Sequence, residues 1–187
     1  AAANWLQDGK NVLYITLEMA EERIAERVDA NLMDVTIDDL HAMPKDMYES
    51  KMSKLQKKTI GKLIIKEYPT ASAHSGHFRA LLNELSLKKT FKPDVVFIDY
   101  LNICASSRFK GGNISSYFYI KAIAEELRGL AVEFDMPIFS ATQTTRSGFT
   151  STDIGLEDTS ESFGLPATAD FMFALISNDE LDQLGQL

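Results

Sequence analysis

The sequence predicts an α/β fold, a mainly parallel sheet with helices on both faces. Three observations predict it. Short apolar runs alternate with amphipathic helical stretches along the whole chain. The helical stretches between the runs are long enough to serve as the crossovers that parallel strands need. The run Val95-Val96-Phe97-Ile98 is apolar at every position, as in a strand covered on both sides. Right-handed crossovers then place helices over both faces.

Each element has its own signal. Residues 1–7 read as a helix that stops at Asp8-Gly9 and feeds a first strand, Val12-Leu13-Tyr14-Ile15. Residues 20–33 read as a helix because Ile24, Val28 and Leu32 recur every four positions, with charges between. Residues 45–62 carry six lysines and few large apolar side chains. They read as a solvated helix or a hairpin of helices rather than a nucleic-acid patch. Leu63-Ile64-Ile65 is a second strand, stopped by Pro69, and residues 71–76 are a loop. Phe78, Leu81, Leu82 and Leu85 mark an amphipathic helix before the Val95 run. Ile120, Ile123, Ala124, Leu127, Leu130, Ala131 and Phe134 form one stripe on a helix over 115–134. Ile138-Phe139-Ser140-Ala141 is the next strand, and Phe171-Met172-Phe173-Ala174-Leu175-Ile176 is expected to be the last.

The 187 residues, 45% hydrophobic and 25% charged, suit one domain over 1–187 with a sizeable core. One cysteine, Cys104, excludes a disulfide framework and a Cys-rich zinc site. No apolar run approaches the roughly 18 residues of a membrane span. The first residues lack the pattern of a signal peptide, so a soluble, cytoplasmic protein is expected. Residues 1–93 hold 14 basic and 13 acidic side chains, and residues 94–187 hold 5 and 14. So acidic a second half argues against a broad nucleic-acid-binding face but leaves room for a local basic loop. His41, His74 and His77 are too scattered for a metal site. Cys104 reads as a packed thiol, and Trp5 as core or interface packing.

Open parallel sheets bind ligands beyond the carboxyl ends of their strands. There the sequence places Glu18 after the first strand, Asp99 after the Val95 run, and Gln143 then Arg146 after the Ile138 run. An apolar strand ending in Asp is the pattern of an aspartate that holds Mg²⁺ through water beside nucleotide phosphates. A strand-end Glu can deprotonate an attacking water, and a Gln can sense a terminal phosphate. Each residue alone has a structural explanation. Glu18 suits the start of the following helix, and Asp99 suits a turn. Together the three favour nucleotide chemistry. No G-x-x-x-x-G-K-[ST] phosphate loop is present: Gly9-Lys10 is followed by Asn11, and Gly61-Lys62 by Leu63. The first strand and its phosphate loop are expected to lie just upstream of Ala1.

These residues resemble a known family. Leu13-Tyr14-Ile15-Thr16-Leu17-Glu18-Met19 and the charged helix after it resemble the second-strand motif of DnaB-type replicative helicases. Asp99-Tyr100-Leu101 resembles their Walker B end. The 120–134 helix followed by Pro137-Ile138-Phe139-Ser140-Ala141-Thr142-Gln143-Thr144-Thr145-Arg146 resembles their sensor strand. Residues 161–170 resemble the segment before the next strand, and their wording, like that of 121–128, is nearest the phage members.

The resemblance implies a RecA-like motor domain of a ring-shaped homo-hexamer that hydrolyses ATP or another nucleoside triphosphate with Mg²⁺. It implies 5′ to 3′ translocation on single-stranded DNA, with a primase and a helicase loader as partners, in the host cytoplasm where phage-encoded. By position, Glu18 matches the water-activating glutamate, Asp99 the Mg²⁺-site aspartate and Gln143 the γ-phosphate sensor. The DNA-facing loops match residues 106–116, with Arg108, Lys110, Gly111 and Gly112, and residues 145–160, with Arg146. A few donors per subunit, repeated around a ring, reconcile an acidic domain with DNA binding. The family's arginine finger lies beyond the last strand, and Arg146 does not fill that role. This chain by itself is expected to bind ATP poorly. The alternatives are another RecA-like ATPase, such as a recombinase, and a non-catalytic RecA-like interaction module.

Overall fold

The computed structural model describes residues 1–58, 61–109, 114–144 and 164–175. In chain order the elements are α1 (Ala2–Gln7), β1 (Val12–Thr16), α2 (Glu21–Met33), α3 (Ile37–Ala42), α4 (Lys45–Lys58), β2 (Leu63–Glu67) and α5 (Ser75–Lys89). There follow β3 (Val95–Asp99), a 3₁₀ turn (Leu101–Ile103), α6 (Ser116–Glu133), β4 (Ile138–Ser140) and α7 (Gly164–Thr168). The sheet runs β2-β1-β3-β4 and every pair is parallel.

Successive residues of a strand face opposite sides, and two apolar clusters follow from this. Leu13 and Ile15 of β1 and Val96 and Ile98 of β3 pack with Phe78, Leu82 and Leu85 of α5 and Ile120, Ile123, Leu127 and Leu130 of α6. Val12, Val95 and Phe97 pack on the other face with Ala2 and Leu6 of α1 and Ile24 and Val28 of α2. Helices therefore cover both faces, as the apolar runs require. Across the second face the register aligns Tyr14, Phe97 and Phe139. Their rings stack at 5.9 and 5.2 Å, and Trp5 of α1 meets Phe139 edge-on at 6.2 Å.

The lysine-rich stretch is a single helix, α4, with no buried residue. Its Tyr48, Met52 and Leu55 lean on a small cluster of Ala30, Met33 and Leu40. The intervening α3 was not expected. Its N-terminus is set by Thr36, whose Oγ1 accepts from the Asp39 amide at 3.0 Å and donates to the Asp39 carboxylate at 2.8 Å.

One expectation fails. Residues 171–175 are not a strand, and Phe171, Phe173 and Leu175 are 79%, 65% and 84% exposed. Ile176 lies outside the described residues. An apolar run becomes a strand only where a neighbour takes its backbone groups. Among the described residues none pairs with this one.

Gly61 marks where the start of β2 crosses the turn into β1. A Cβ there would stand 2.3 Å from the Lys10 carbonyl oxygen and 3.0 Å from that of Leu6. Both obstacles are backbone and cannot rotate away. Gly61→Ala is expected to cost about 2 kcal/mol, read as a lower urea midpoint at unchanged slope. An unchanged midpoint would mean that the two segments part freely.

Candidate active site

The sheet's carboxyl edge is built by backbone bonds that outrun the strands. The Leu17 amide donates to the Asp99 carbonyl at 2.9 Å, and its carbonyl accepts from Thr70 Oγ1 at 2.6 Å. The Leu17 side chain is buried. Thr16 Oγ1 then closes a turn on Met19, accepting from its amide at 3.0 Å and donating to its carbonyl at 2.8 Å. Glu18 is left exposed just past the end of β1.

Asp99 ends β3, paired in register with Thr16. It shares the strand face of Val95 and Phe97, toward Tyr14 of β1. The Tyr14 hydroxyl donates to Asp99 Oδ2 at 2.9 Å. Burial, then the hydrogen bond and charge of Asp99, push the phenol well above its ordinary value, so it remains a donor. On β4, Ser140 Oγ donates to the Ile98 carbonyl at 2.8 Å, and the Leu101 amide donates to the Ala141 carbonyl at 3.2 Å. Gln143 is exposed beyond them, its side-chain amide donating to the Tyr100 hydroxyl at 3.4 Å.

Glu18, Asp99 and Gln143 thus stand on one edge, Asp99 closing β3 and the other two just past β1 and β4. Among the described residues no hydrogen bond joins Glu18 to the other two. Two buried side-chain atoms on the segments after β3 and β4, Asn102 Oδ1 and Thr142 Oγ1, have no hydrogen-bond partner among the described residues. Such atoms in a native fold call for water or ligand. Among the described residues no three His, Cys, Asp or Glu converge on a point. A single carboxylate held by a phenol fits Mg²⁺, which keeps most of its waters and shares the rest of its shell with phosphates.

Of the residues expected to face DNA, Arg108 is exposed and pairs with Glu125 of α6 at 2.5 Å. Lys110, Gly111, Gly112 and Arg146 lie outside the described residues. Cys104 is buried in the core, and burial, then the Glu126 charge, pushes its thiol up to about 12. His74 and His77 cap α5: His74 Nδ1 accepts from the Gly76 amide at 3.0 Å, and His77 Nδ1 accepts from the His74 amide at 3.2 Å.

Sequence reasoning missed three groups. Tyr14 and Tyr100 carry no local signal, because their roles depend on cross-strand neighbours. Glu126 does carry one. It sits three residues after Ile123 and four before Leu130, a charge on an otherwise apolar stripe. Its carboxylate accepts from Ser106 Oγ at 2.6 Å, Ser75 Oγ at 2.8 Å and the Ser107 amide at 2.9 and 3.0 Å. Burial raises its pKa, but bonds from Ser106, Ser107 and Ser75 outweigh burial and hold it down to about 2.

Known proteins are similar to this chain. The family model of the DnaB-like helicase C-terminal domain matches residues 1–183. The DnaB-like replicative helicase of Enterobacteria phage T4 is 50% identical over 184 residues, 96% of this chain and 38% of that protein. The replicative DNA helicase DnaB of Helicobacter pylori is 26% identical, over 91% of this chain and 34% of its own length. The chain therefore spans little more than a third of these curated relatives. Among solved structures, a DnaB-like replicative helicase described with its primase interactions superposes with a TM-score of 0.70, at 21% identity over 90% of this chain and 41% of that one. A second solved structure, that of an ATPase domain, gives 0.71, also at 21% identity, over 90% of this chain and 60% of that one. Both likenesses carry the fold alone, a parallel sheet with helices on both faces. By its sequence, the chain belongs to the DnaB-like helicase C-terminal domain family.

Proposed function

We propose that this chain is the motor portion of a replicative DNA helicase that hydrolyses ATP with Mg²⁺ to move 5′ to 3′ along single-stranded DNA. The assembly is a homo-hexamer with hydrolysis at its subunit interfaces, meeting a primase and a loader in the cytoplasm. The observation that supports this most is the placement of Glu18, Asp99 and Gln143 on one carboxyl edge of a parallel sheet. Relatives similar over more than nine tenths of this chain carry the name of replicative helicase.

In this reading Glu18 accepts a proton from the water whose oxygen attacks the terminal phosphorus of ATP. The bond from that phosphorus to its bridging oxygen breaks, and ADP leaves. Bound Mg²⁺ supplies positive charge to the phosphates. Asp99 would hold the ion through water, with Tyr14 fixing the orientation of its carboxylate. Gln143, with Tyr100, reports the terminal phosphate to the segment after β4. Arg108, Lys110, Gly111, Gly112 and Arg146 serve the DNA-facing loops.

The test is ATP hydrolysis by the intact protein with and without single-stranded DNA, beside separation of a forked duplex. Stimulated turnover with strand separation is expected. Stimulated turnover without separation would favour a recombinase-type ATPase. No turnover would leave an interaction module.

Tyr14→Phe isolates the support of Asp99. Losing one hydrogen bond to a metal-holding carboxylate is expected to raise the Mg²⁺ needed for half-maximal turnover about tenfold. Stability should fall by only about 1 kcal/mol. An unchanged Mg²⁺ requirement would show that the phenol does not orient Asp99.

A further inference from the structure

We infer that Glu126 is a positioning residue for DNA binding, an internal anchor that ties the base of the loop after β3 to α5 and α6. The inference rests on the proposal that this loop faces DNA. Three consecutive backbone amides at the start of the loop meet side chains of α6, directly or through one serine. The Ser106 amide donates to the Tyr119 hydroxyl at 3.1 Å. The Ser107 amide donates to both oxygens of Glu126. The Arg108 amide donates to Ser106 Oγ at 3.2 Å, and Ser106 Oγ itself donates to Glu126. Tyr119 and Glu126 are seven residues apart, two turns along one helix face. Ser75, the first residue of α5, completes the carboxylate's shell.

Among the described residues every group bonded to this carboxylate donates to it, and three of the contacts come from backbone amides that cannot reverse their polarity, two from Ser107 and one from Arg108 at 3.4 Å. The site therefore wants an ionised acid. A neutral amide turns at least one donor of its own toward donors. A merely structural acid on a helix needs none of this. It could face solvent as Glu125 does, which takes Arg108 in a surface pair instead. The anchor sets where Arg108 and Phe109 leave the core. Those two form one wall of an open groove of about 630 Å³, whose other wall is Phe118, Lys121 and Glu125 of α6. Phe118 is 60% exposed there. Exposed aromatics beside cations suit the bases and phosphates of a single strand, provided the two walls keep their spacing.

The test compares Glu126→Ala, Glu126→Gln and Glu126→Asp with the wild type in the intact protein. DNA-free ATP turnover and the single-stranded DNA concentration giving half-maximal stimulation are measured separately. Glu126→Ala should raise that concentration about tenfold while DNA-free turnover stays within about twofold. Glu126→Gln, which keeps one acceptor oxygen, should raise it less. Glu126→Asp should recover part of the loss. Should the alanine variant fail to fold, the glutamine variant carries the same comparison. A folded variant with unchanged DNA dependence overturns the anchor and leaves the motor proposal intact. A wild type that DNA does not stimulate overturns both.

Discussion

Glu18→Gln is expected to lower DNA-stimulated ATP turnover by ~10²–10⁴-fold, with nucleotide binding nearly unchanged. The amide has the shape of the acid but no basic oxygen, so it can hold a water and cannot take its proton. That loss corresponds to about 3–5 kcal/mol of activation barrier. The structure keeps the comparison clean. Glu18 is exposed, while the backbone that presents it is pinned by Leu17, Asp99 and Thr70 and by the Thr16 turn. None of those bonds uses the Glu18 side chain. Stability should therefore move by no more than about 0.5 kcal/mol. Rapid turnover by the variant would assign the base elsewhere. Loss of turnover together with loss of nucleotide binding would make Glu18 a binding residue and not a base.

What could be read from the sequence was whatever repeats along one element. The apolar runs at Val12, Leu63, Val95 and Ile138 became β1 to β4, and the stripe from Ile120 to Leu130 became the buried face of α6. The common edge of Glu18, Asp99 and Gln143 was also legible, because strands that all run parallel end on the same side. What could not be read was whatever depends on a second element. Nothing in the run Val12 to Thr16 tells that Tyr14 reaches across to Asp99. That follows from register, with Thr16 opposite Asp99 and Tyr14 opposite Phe97. Residues 171–175 failed for the same reason in reverse, since composition reports apolar character and not whether a neighbour exists. The helix α3 is six residues long, too short to show a period, although Thr36 three residues ahead of Asp39 is a capping signal. Glu126 was the one omission with a clear cue. An acid inside an apolar stripe asks for buried donors, and the structure supplies them from the loop that bears Arg108.

The same acid gives the fold a specific weakness at low pH. The folded-state pKa of Glu126 is about 2, below its ordinary 4.5, so the folded protein binds this proton less readily than the unfolded chain. Its contribution is fully present above pH 4.5 and is lost as the pH falls toward about 2. The shift corresponds to a contribution on the order of 3 kcal/mol. Glu126→Gln has no such proton to take up. The wild type's advantage in unfolding free energy over that variant should be largest near neutral pH and shrink steadily between pH 4.5 and 2. Other carboxylates, such as Glu26, Glu84 and Glu133, are also held below their ordinary range by arginine, lysine or histidine partners. They are common to both proteins and cancel in the difference. Denaturant unfolding of the two proteins at a series of pH values measures it directly. An advantage of the same size at pH 3 and pH 7 would mean that the donors around Glu126 do not hold it ionised. The loop bearing Arg108 would then be tied down by Tyr119 and the backbone alone.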